Sequence, residues 1–140
     1  MTDEQFNIEI KKAIDLRKDD TIESLRLLNN LLKEELENDD KAYLYFEISM
    51  CHYSCKDIVS ALVYIEKAIK ITPEEYELHF WKGIYYSRIQ DFFSYSNCLF
   101  KAISLSDNQS FIEKCYIDIL KLPTPILIIL ILILWKITSI

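Results

Sequence analysis

Residues 66–73 (EKAIKITP) and residues 100–107 (FKAISLSD) are two copies of one short sequence, 34 positions apart. The similarity extends outward from them, because residues 42–75 align with residues 76–109 without a gap. The aligned pairs include Ala68 with Ala102, Ile69 with Ile103, and Ile71 with Leu105. A period of this length is typical of repeat proteins, in which each unit buries its apolar face against the next one.

The second half of each copy has the pattern of an amphipathic helix. In the first copy the apolar side chains recur at helical spacing, at Ile58, Ala61, Leu62, Ile65, Ala68 and Ile69. Asp57 and Asp91 come directly before these segments, where a carboxylate can cap free backbone amides. The chain has one Gly and three Pro, which is too few for a turn-rich β fold. We therefore predict an all-α fold of long helices joined by short turns.

The two copies resemble tetratricopeptide repeats. Units of that family have a small residue early in helix A, an aromatic residue three positions later, and alanines in helix B. Gly83 and Tyr86 fill the first two positions in the second copy, where the first copy has Ser49 and His52. The resemblance implies a right-handed solenoid of antiparallel helix pairs.

Two positions depart from the family pattern. The middle alanine of helix B is Ala61 in the first copy but Tyr95 in the second, and the closing Pro73 is matched by Asp107. Because Tyr95 is large for a close helix crossing, we expect looser packing around it.

The rest of the chain extends the repeats at both ends. Residues 5–38 are interpreted as a degenerate third repeat, followed by a short polar linker at residues 37–40. Residues 110–121 are predicted to form a helix that caps the exposed end of the solenoid. These parts make up a helical domain over residues 1–121, and residues 122–140 form a separate apolar tail.

The tail is apolar on every side. Ten unbroken apolar residues, 126–135, follow the helix-breaking Pro123 and Pro125, and Lys136 is the one charged residue of the segment. At ~1.5 Å per residue a wholly helical tail is just long enough for a hydrocarbon core of ~30 Å. The predicted membrane-anchor residues are Ile126, Leu130, Leu134, Trp135 and Lys136, with Lys136 reaching the far interface beside Trp135.

Two other arrangements of the tail stay open. The run is short, as in a helix buried against this protein's own groove or against a partner protein. A helix lying in the membrane surface is less favoured, because the tail has no polar face. No N-terminal export signal is visible, so the helical domain is expected on the side of the membrane where it is synthesised.

The resemblance to tetratricopeptide repeats also implies a binding groove lined by helix A of each unit. The lining positions carry Tyr43, Phe46, Met50 and Tyr53 in the first copy, and Glu77, Phe80, Ile84, Ser87 and Arg88 in the second. A subclass of the family uses Lys and Asn there to hold a terminal carboxylate, whereas this chain has Phe46 and Met50. We therefore predict an apolar, aromatic groove for a helix or a hydrophobic peptide, although each of these side chains could instead pack between helices.

Composition argues against several other functions. The net charge of −6, from 16 basic and 22 acidic residues, disfavours nucleic acid, because phosphate binding needs clustered Lys and Arg. One glycine cannot build a phosphate-binding loop. Cys51, His52 and Cys55 are close in sequence, but no fourth ligand accompanies them, and we interpret all four cysteines as packing residues. The sequence predicts no catalytic site, cofactor, metal or small-molecule substrate.

The predicted function is thus a non-enzymatic adaptor that binds a protein partner in its groove and is tethered to a membrane by its tail. Its order of parts is similar to that of the tail-anchored fission adaptor of mitochondria and peroxisomes, which would imply an organelle membrane. Two alternatives remain. The chain is a structural subunit of a larger membrane complex, or a soluble repeat module whose own tail packs in the groove.

Overall fold

The computed structural model describes residues 1–139, which form eight helices and, over that range, no strand. In chain order they are α1 (Asp3–Leu16), α2 (Thr21–Leu31), α3 (Asn38–Ser54), α4 (Ile58–Ile71), α5 (Tyr76–Arg88), α6 (Phe92–Leu105), α7 (Gln109–Leu120) and α8 (Thr124–Thr138). Helices α1–α2, α3–α4 and α5–α6 pack as hairpins. Neighbouring hairpins contact each other through α2–α3 and α4–α5, and the third hairpin contacts α7 through α6. The first six helices therefore form a row of helix pairs, each resting on its neighbours.

The turns inside the hairpins show the repeat in the backbone. Asp57 and Asp91 accept hydrogen bonds from the amides of Ser60 and Ser94, which confirms both predicted helix caps. Lys56 and Gln90, 34 residues apart, have φ angles of 60° and 61° and end α3 and α5 in the same left-handed conformation.

The first hairpin departs from this repeat. Asp20 caps α2 as Asp57 caps α4, but 37 residues separate these two caps, against 34 between Asp57 and Asp91. The predicted linker at residues 37–40 is wrong, since α3 begins at Asn38. Acidic Asp39 and Asp40 favour this earlier start, because they lie in the first turn, where the helix dipole is positive.

The crossing of α5 and α6 is close, in contrast to the expected looseness around Tyr95. A Cβ placed on Gly83 would lie 3.0 Å from the Cβ of Cys98 and 3.3 Å from the carbonyl oxygen of Tyr95. Tyr95 itself is buried. The tyrosine fits because the residue opposite it has no side chain, so the large residue and the small one compensate each other.

The last two helices continue the 34-residue register but do not close into a hairpin like the others. Ile117 stands where the earlier units have the buried Ser49 and Gly83, and it is 53% exposed. At this exposure Ile117 is not covered by a close helix crossing of the kind that Gly83 makes. The axes of α7 and α8 are bent by 118°, and of the α8 side chains Leu130 alone is buried among those described.

Within residues 1–139, no helix taken singly is long and apolar enough to cross a membrane, while α7 and α8 together meet the criteria across their bend. The tail predicted as one span over residues 122–140 thus contains a helix of 15 residues, and Ile140 lies outside the described residues.

Replacing Gly83 with Ala tests the close crossing. Overpacking against Cys98 costs about 1–3 kcal/mol, which exceeds the gain of about 1 kcal/mol from exchanging a helical glycine for alanine. We expect Gly83→Ala to lower the free energy of unfolding by about 1 kcal/mol, measured by chemical denaturation. The control Asn97→Ala, at an exposed α6 position, should be neutral or stabilising. Equal stabilisation by both variants would contradict a close crossing at Gly83.

Candidate functional site

The predicted groove residues lie on two neighbouring helices that face the same side of the molecule. Tyr43, Phe46, Met50 and Tyr53 are on α3, and Phe80, Ile84, Ser87 and Arg88 are on α5. Spacings of three and four residues place each set along one stripe of its helix. Tyr43 is 44% exposed, Arg88 is exposed, and the other six are half-buried. Five of these side chains also pack against buried core residues, as in the alternative in which they lie between helices: Phe46, Met50, Tyr53, Phe80 and Ile84. We refer to this surface of α3 and α5 as the aromatic groove, after its predicted role.

Trp81 contacts aromatic residues of both stripes, although the alignment of the two repeats did not indicate it as a groove residue. Its ring centroid lies 6.4 Å from that of Phe46, 6.3 Å from that of Tyr53 and 5.9 Å from that of Phe80. Aromatic rings at these separations attract one another beyond the area that they bury. The 34-residue register did not indicate Trp81, because its counterpart in the first copy is Glu47.

A partly buried ion pair connects the groove to the first helix pair. Arg17, at the end of α1, donates a hydrogen bond of 2.6 Å from Nη1 to Oε2 of Glu47 on α3. Burial raises the pKa of the Glu47 carboxyl, an effect that Arg17 opposes. Removing one partner of such a pair is costly, since it leaves the other charge buried and uncompensated. The pair therefore fixes α1 relative to α3.

A second polar contact fixes α3 relative to α5. The hydroxyl of Tyr85, a fully buried residue, lies 2.9 Å from Oγ of Ser49, and Ser49 donates to the carbonyl oxygen of Phe46. Burial raises the pKa of Tyr85 to about 12, so the phenol stays neutral. Ser49, the small residue of the first repeat, is thus buried at a helix crossing and also forms a hydrogen bond with the next repeat.

Cations of the chain itself cover two of the groove rings. Nε of Arg88 donates to the Tyr53 hydroxyl at 2.9 Å, and its guanidinium lies 5.7 Å from the Tyr53 ring centroid. Nζ of Lys114, on α7, is 4.9 Å from the centroid of Phe80. Ser87 donates its hydroxyl to the carbonyl oxygen of Ile84 in its own helix, so this donor is already engaged.

The predicted anchor residues do not share one environment. Leu130 is buried and Ile126 is half-buried, in a cluster that also contains Phe80, Ile84 and the fully buried Leu99. The other predicted anchor residues are exposed, namely Leu134, Trp135 and Lys136. The first half of α8 therefore packs on the protein near one end of the aromatic groove, as in the alternative where the tail contacts its own domain. Its second half is uncovered.

The two histidines of the chain contact aromatic and backbone groups of the repeats. His52 stacks on Tyr64 with a ring separation of 5.2 Å, and Nε2 of His79 lies 2.8 Å from the carbonyl oxygen of Pro73. No group of three or more His, Cys, Asp or Glu side chains within residues 1–139 is arranged to hold a metal ion.

The cysteines are not equivalent. Cys51, Cys98 and Cys115 are buried, whereas Cys55 is exposed, so the interpretation of all four as packing residues is wrong for Cys55. Burial raises the pKa of Cys98 and of Cys115 to about 11, which keeps both as unreactive thiols near neutral pH.

Thiol labelling of the folded protein tests this arrangement. With Ellman's reagent at mildly alkaline pH, we expect one of the four thiols to react quickly and the other three to react after unfolding in guanidinium. Cys55→Ser should remove the fast phase and leave the slow one unchanged. Fast labelling of more than one thiol in the native protein would show that the cores around Cys51, Cys98 and Cys115 are open.

Comparison with known proteins gives a likeness in fold. No family model and no curated protein matches the sequence. Among solved structures, the chain is similar to PcrH, solved in complex with the chaperone binding region of PopB. The TM-score is 0.69 and the identity 9%, over 82% of this chain and 94% of the PcrH chain.

At that identity the likeness concerns the fold alone. It confirms the predicted all-α, tetratricopeptide-like helical solenoid. The resemblance to the tail-anchored fission adaptor has no support in these comparisons.

Proposed function

We propose that this chain is a protein-binding adaptor whose aromatic groove takes a helix or a hydrophobic peptide of a partner. The observation that carries the proposal is a row of half-buried rings on α3 and α5, namely Phe46, Tyr53, Phe80 and Trp81. Hydrogen bonds to α1 and between α3 and α5 hold these two helices in place. Large aromatic side chains on rigid helices are the residues that dominate binding energy at protein interfaces. A partner completing the burial of these rings gains apolar contact at little cost in ordering the groove.

A protein of similar fold is known in complex with a segment of another protein. PcrH, which has a similar fold, was solved with a binding region of another protein. The contact between Tyr85 and Ser49 and the pair between Arg17 and Glu47 hold the groove helices before any ligand arrives. These features favour a preformed groove over one that assembles on binding.

Peptide selection on the full-length chain tests this function. A displayed library of short random peptides is selected against the protein in a mild detergent, which covers α8. Binding is then measured by the fluorescence of Trp81 in a Trp135→Phe background, where Trp81 is the only tryptophan. We expect enriched peptides with apolar residues at helical spacing, and a loss of about tenfold or more in affinity with Phe46→Asp, equivalent to about 1.4 kcal/mol.

The control variant is Val63→Asp, which adds the same charge at an exposed apolar residue of α4. It should bind the selected peptides as the parent does. Circular dichroism establishes that both variants keep their helices. If no peptides are enriched, or if they bind equally well to Phe46→Asp, the proposed groove function is wrong.

A second role is proposed for α8, as the segment that tethers the adaptor to a bilayer. What supports it is exposure of apolar side chains along the second half of the helix. Ile131 is 63% exposed, Trp135 67% and Ile137 64%. Such a surface is unfavourable in water and requires cover, either by lipid or by the helices of other subunits.

Flotation with phosphatidylcholine vesicles tests whether lipid, and not another subunit, covers the exposed half of α8. We expect the full chain to float with the vesicles, and a chain ending at Lys121 to stay in solution with its helical content retained. Ile131→Lys should weaken flotation, because a charge in the hydrocarbon core costs about 2.5–3.5 kcal/mol. Val63→Lys, on the helical domain, is the matched control.

If the full chain does not float and is monodisperse without detergent, the tether is wrong. Recovery of stoichiometric neighbours from detergent, without flotation of the isolated chain, would favour the structural-subunit alternative.

A further inference from the structure

One end of the aromatic groove combines ring faces with carboxylates. A pocket of about 260 Å³ opens beside the first turns of α3 and α5, and its lining includes Tyr43, Phe46, Asp39, Glu75 and Glu77. Tyr43 and Phe46 are also members of the groove, with ring centroids 6.4 Å apart. The pocket is therefore continuous with this end of the groove and is not a separate cavity.

The three carboxylates of this pocket have no cation of their own. Across residues 1–139, none of Asp39, Glu75 and Glu77 takes part in an ion pair. The adjacent N-termini of α3 and α5 each contribute roughly +0.5 of an elementary charge, which by itself attracts an anion. Three carboxylates outweigh two such ends and leave about −2 at the pocket, so the local field favours a cation.

The rings of the groove differ in whether a cation of the chain lies over them. Tyr53 and Phe80 carry the cations of Arg88 and Lys114 over their faces. The other rings of the described chain that have such a cation are Tyr45 and Tyr64, both outside the groove. Within residues 1–139 no cation lies over the face of Tyr43 or Phe46. Arg17, whose charge acts on Tyr43, is already paired with Glu47, whereas the three carboxylates of the pocket are unpaired.

We infer that this pocket binds a Lys or Arg side chain of the partner peptide, so that the partner is an apolar segment flanked by a basic residue. An ammonium or guanidinium group is attracted both to the face of an aromatic ring and to carboxylates. The methylene stem of Lys or Arg packs against rings while its charged end reaches the rim. The inference rests on the proposed groove function and names the chemistry of its ligand.

The selection from the peptide library tests it, with full-length protein and matched charge variants. The test variant is Glu75→Gln with Glu77→Gln, which removes two charges but keeps the size of both side chains. The control is Asp19→Asn with Glu34→Gln, which removes the same charge at exposed positions outside the pocket. Peptides selected on the unmodified chain are also made with their basic residue replaced by norleucine.

We expect Lys or Arg to be enriched beside the apolar positions on the unmodified chain and on the control. Replacing that basic residue with norleucine should weaken binding about tenfold to both proteins. The loss should be clearly smaller for the Glu75→Gln, Glu77→Gln variant, which keeps Asp39 and the two rings. Glu75→Lys with Glu77→Lys should shift the enrichment to Asp and Glu.

Apolar peptides enriched without a basic residue would overturn the inference and leave the groove function standing. The inference is also overturned if the preference for a basic residue is undiminished in the Glu75→Gln, Glu77→Gln variant. Failure to enrich any peptide would overturn both.

Discussion

The close crossing of two helices at a small residue is the constraint on which the rest of this structure depends. At Gly83 there is no room for a single added methyl group without displacement of Cys98 or of the α6 backbone. Ser49 holds the equivalent place in the preceding hairpin and is fully buried. At the corresponding Ile117 the close crossing is not repeated, the axes of α7 and α8 are bent by 118°, and the side chains of the second half of α8 are exposed. The small residue therefore distinguishes the regular repeats from the uncovered end.

Polar contacts between neighbouring helix pairs then hold α3 and α5, the two helices of the groove, in their relative positions. Arg17 and Glu47 connect α1 to α3, and Ser49 and Tyr85 connect α3 to α5. A buried ion pair adds little net stability compared with apolar packing. Its consequence here is geometric, because a charge that loses its partner is strongly penalised and the helices are held where both partners meet. The rings of Phe46 and Trp81 lie on helices that are positioned in this way.

Charge is distributed unevenly along the aromatic groove. Acidic residues gather where α3 and α5 begin, as the helix dipole favours, and cations of the chain lie over the rings of Tyr53 and Phe80. The surface is therefore not uniformly apolar. Fold alone does not determine this, since tetratricopeptide-like solenoids are frameworks on which different surfaces are displayed.

Local features of the sequence were sufficient for the elements and their order. Three features depend only on neighbours along the chain and can therefore be predicted from the sequence. They are the 34-residue period, the caps at Asp57 and Asp91, and the helical spacing of apolar residues. The family resemblance added the positions of the groove. The sequence also placed α8 as an apolar segment behind a proline break.

The tertiary structure decided which side chains of different helices contact each other. Tyr95 looked too large for its position until the structure placed Gly83 against it, and Trp81 became a groove residue because the rings of two helices meet there. The pairing of Arg17 with Glu47 joins residues 30 positions apart, a distance over which no periodic pattern specifies a partner. Likewise, the burial of Leu130 beside exposed neighbours follows from the angle at which α8 leaves α7. Such pairings depend on crossing angles and distances between helices, which side chains set jointly and no short stretch of sequence encodes.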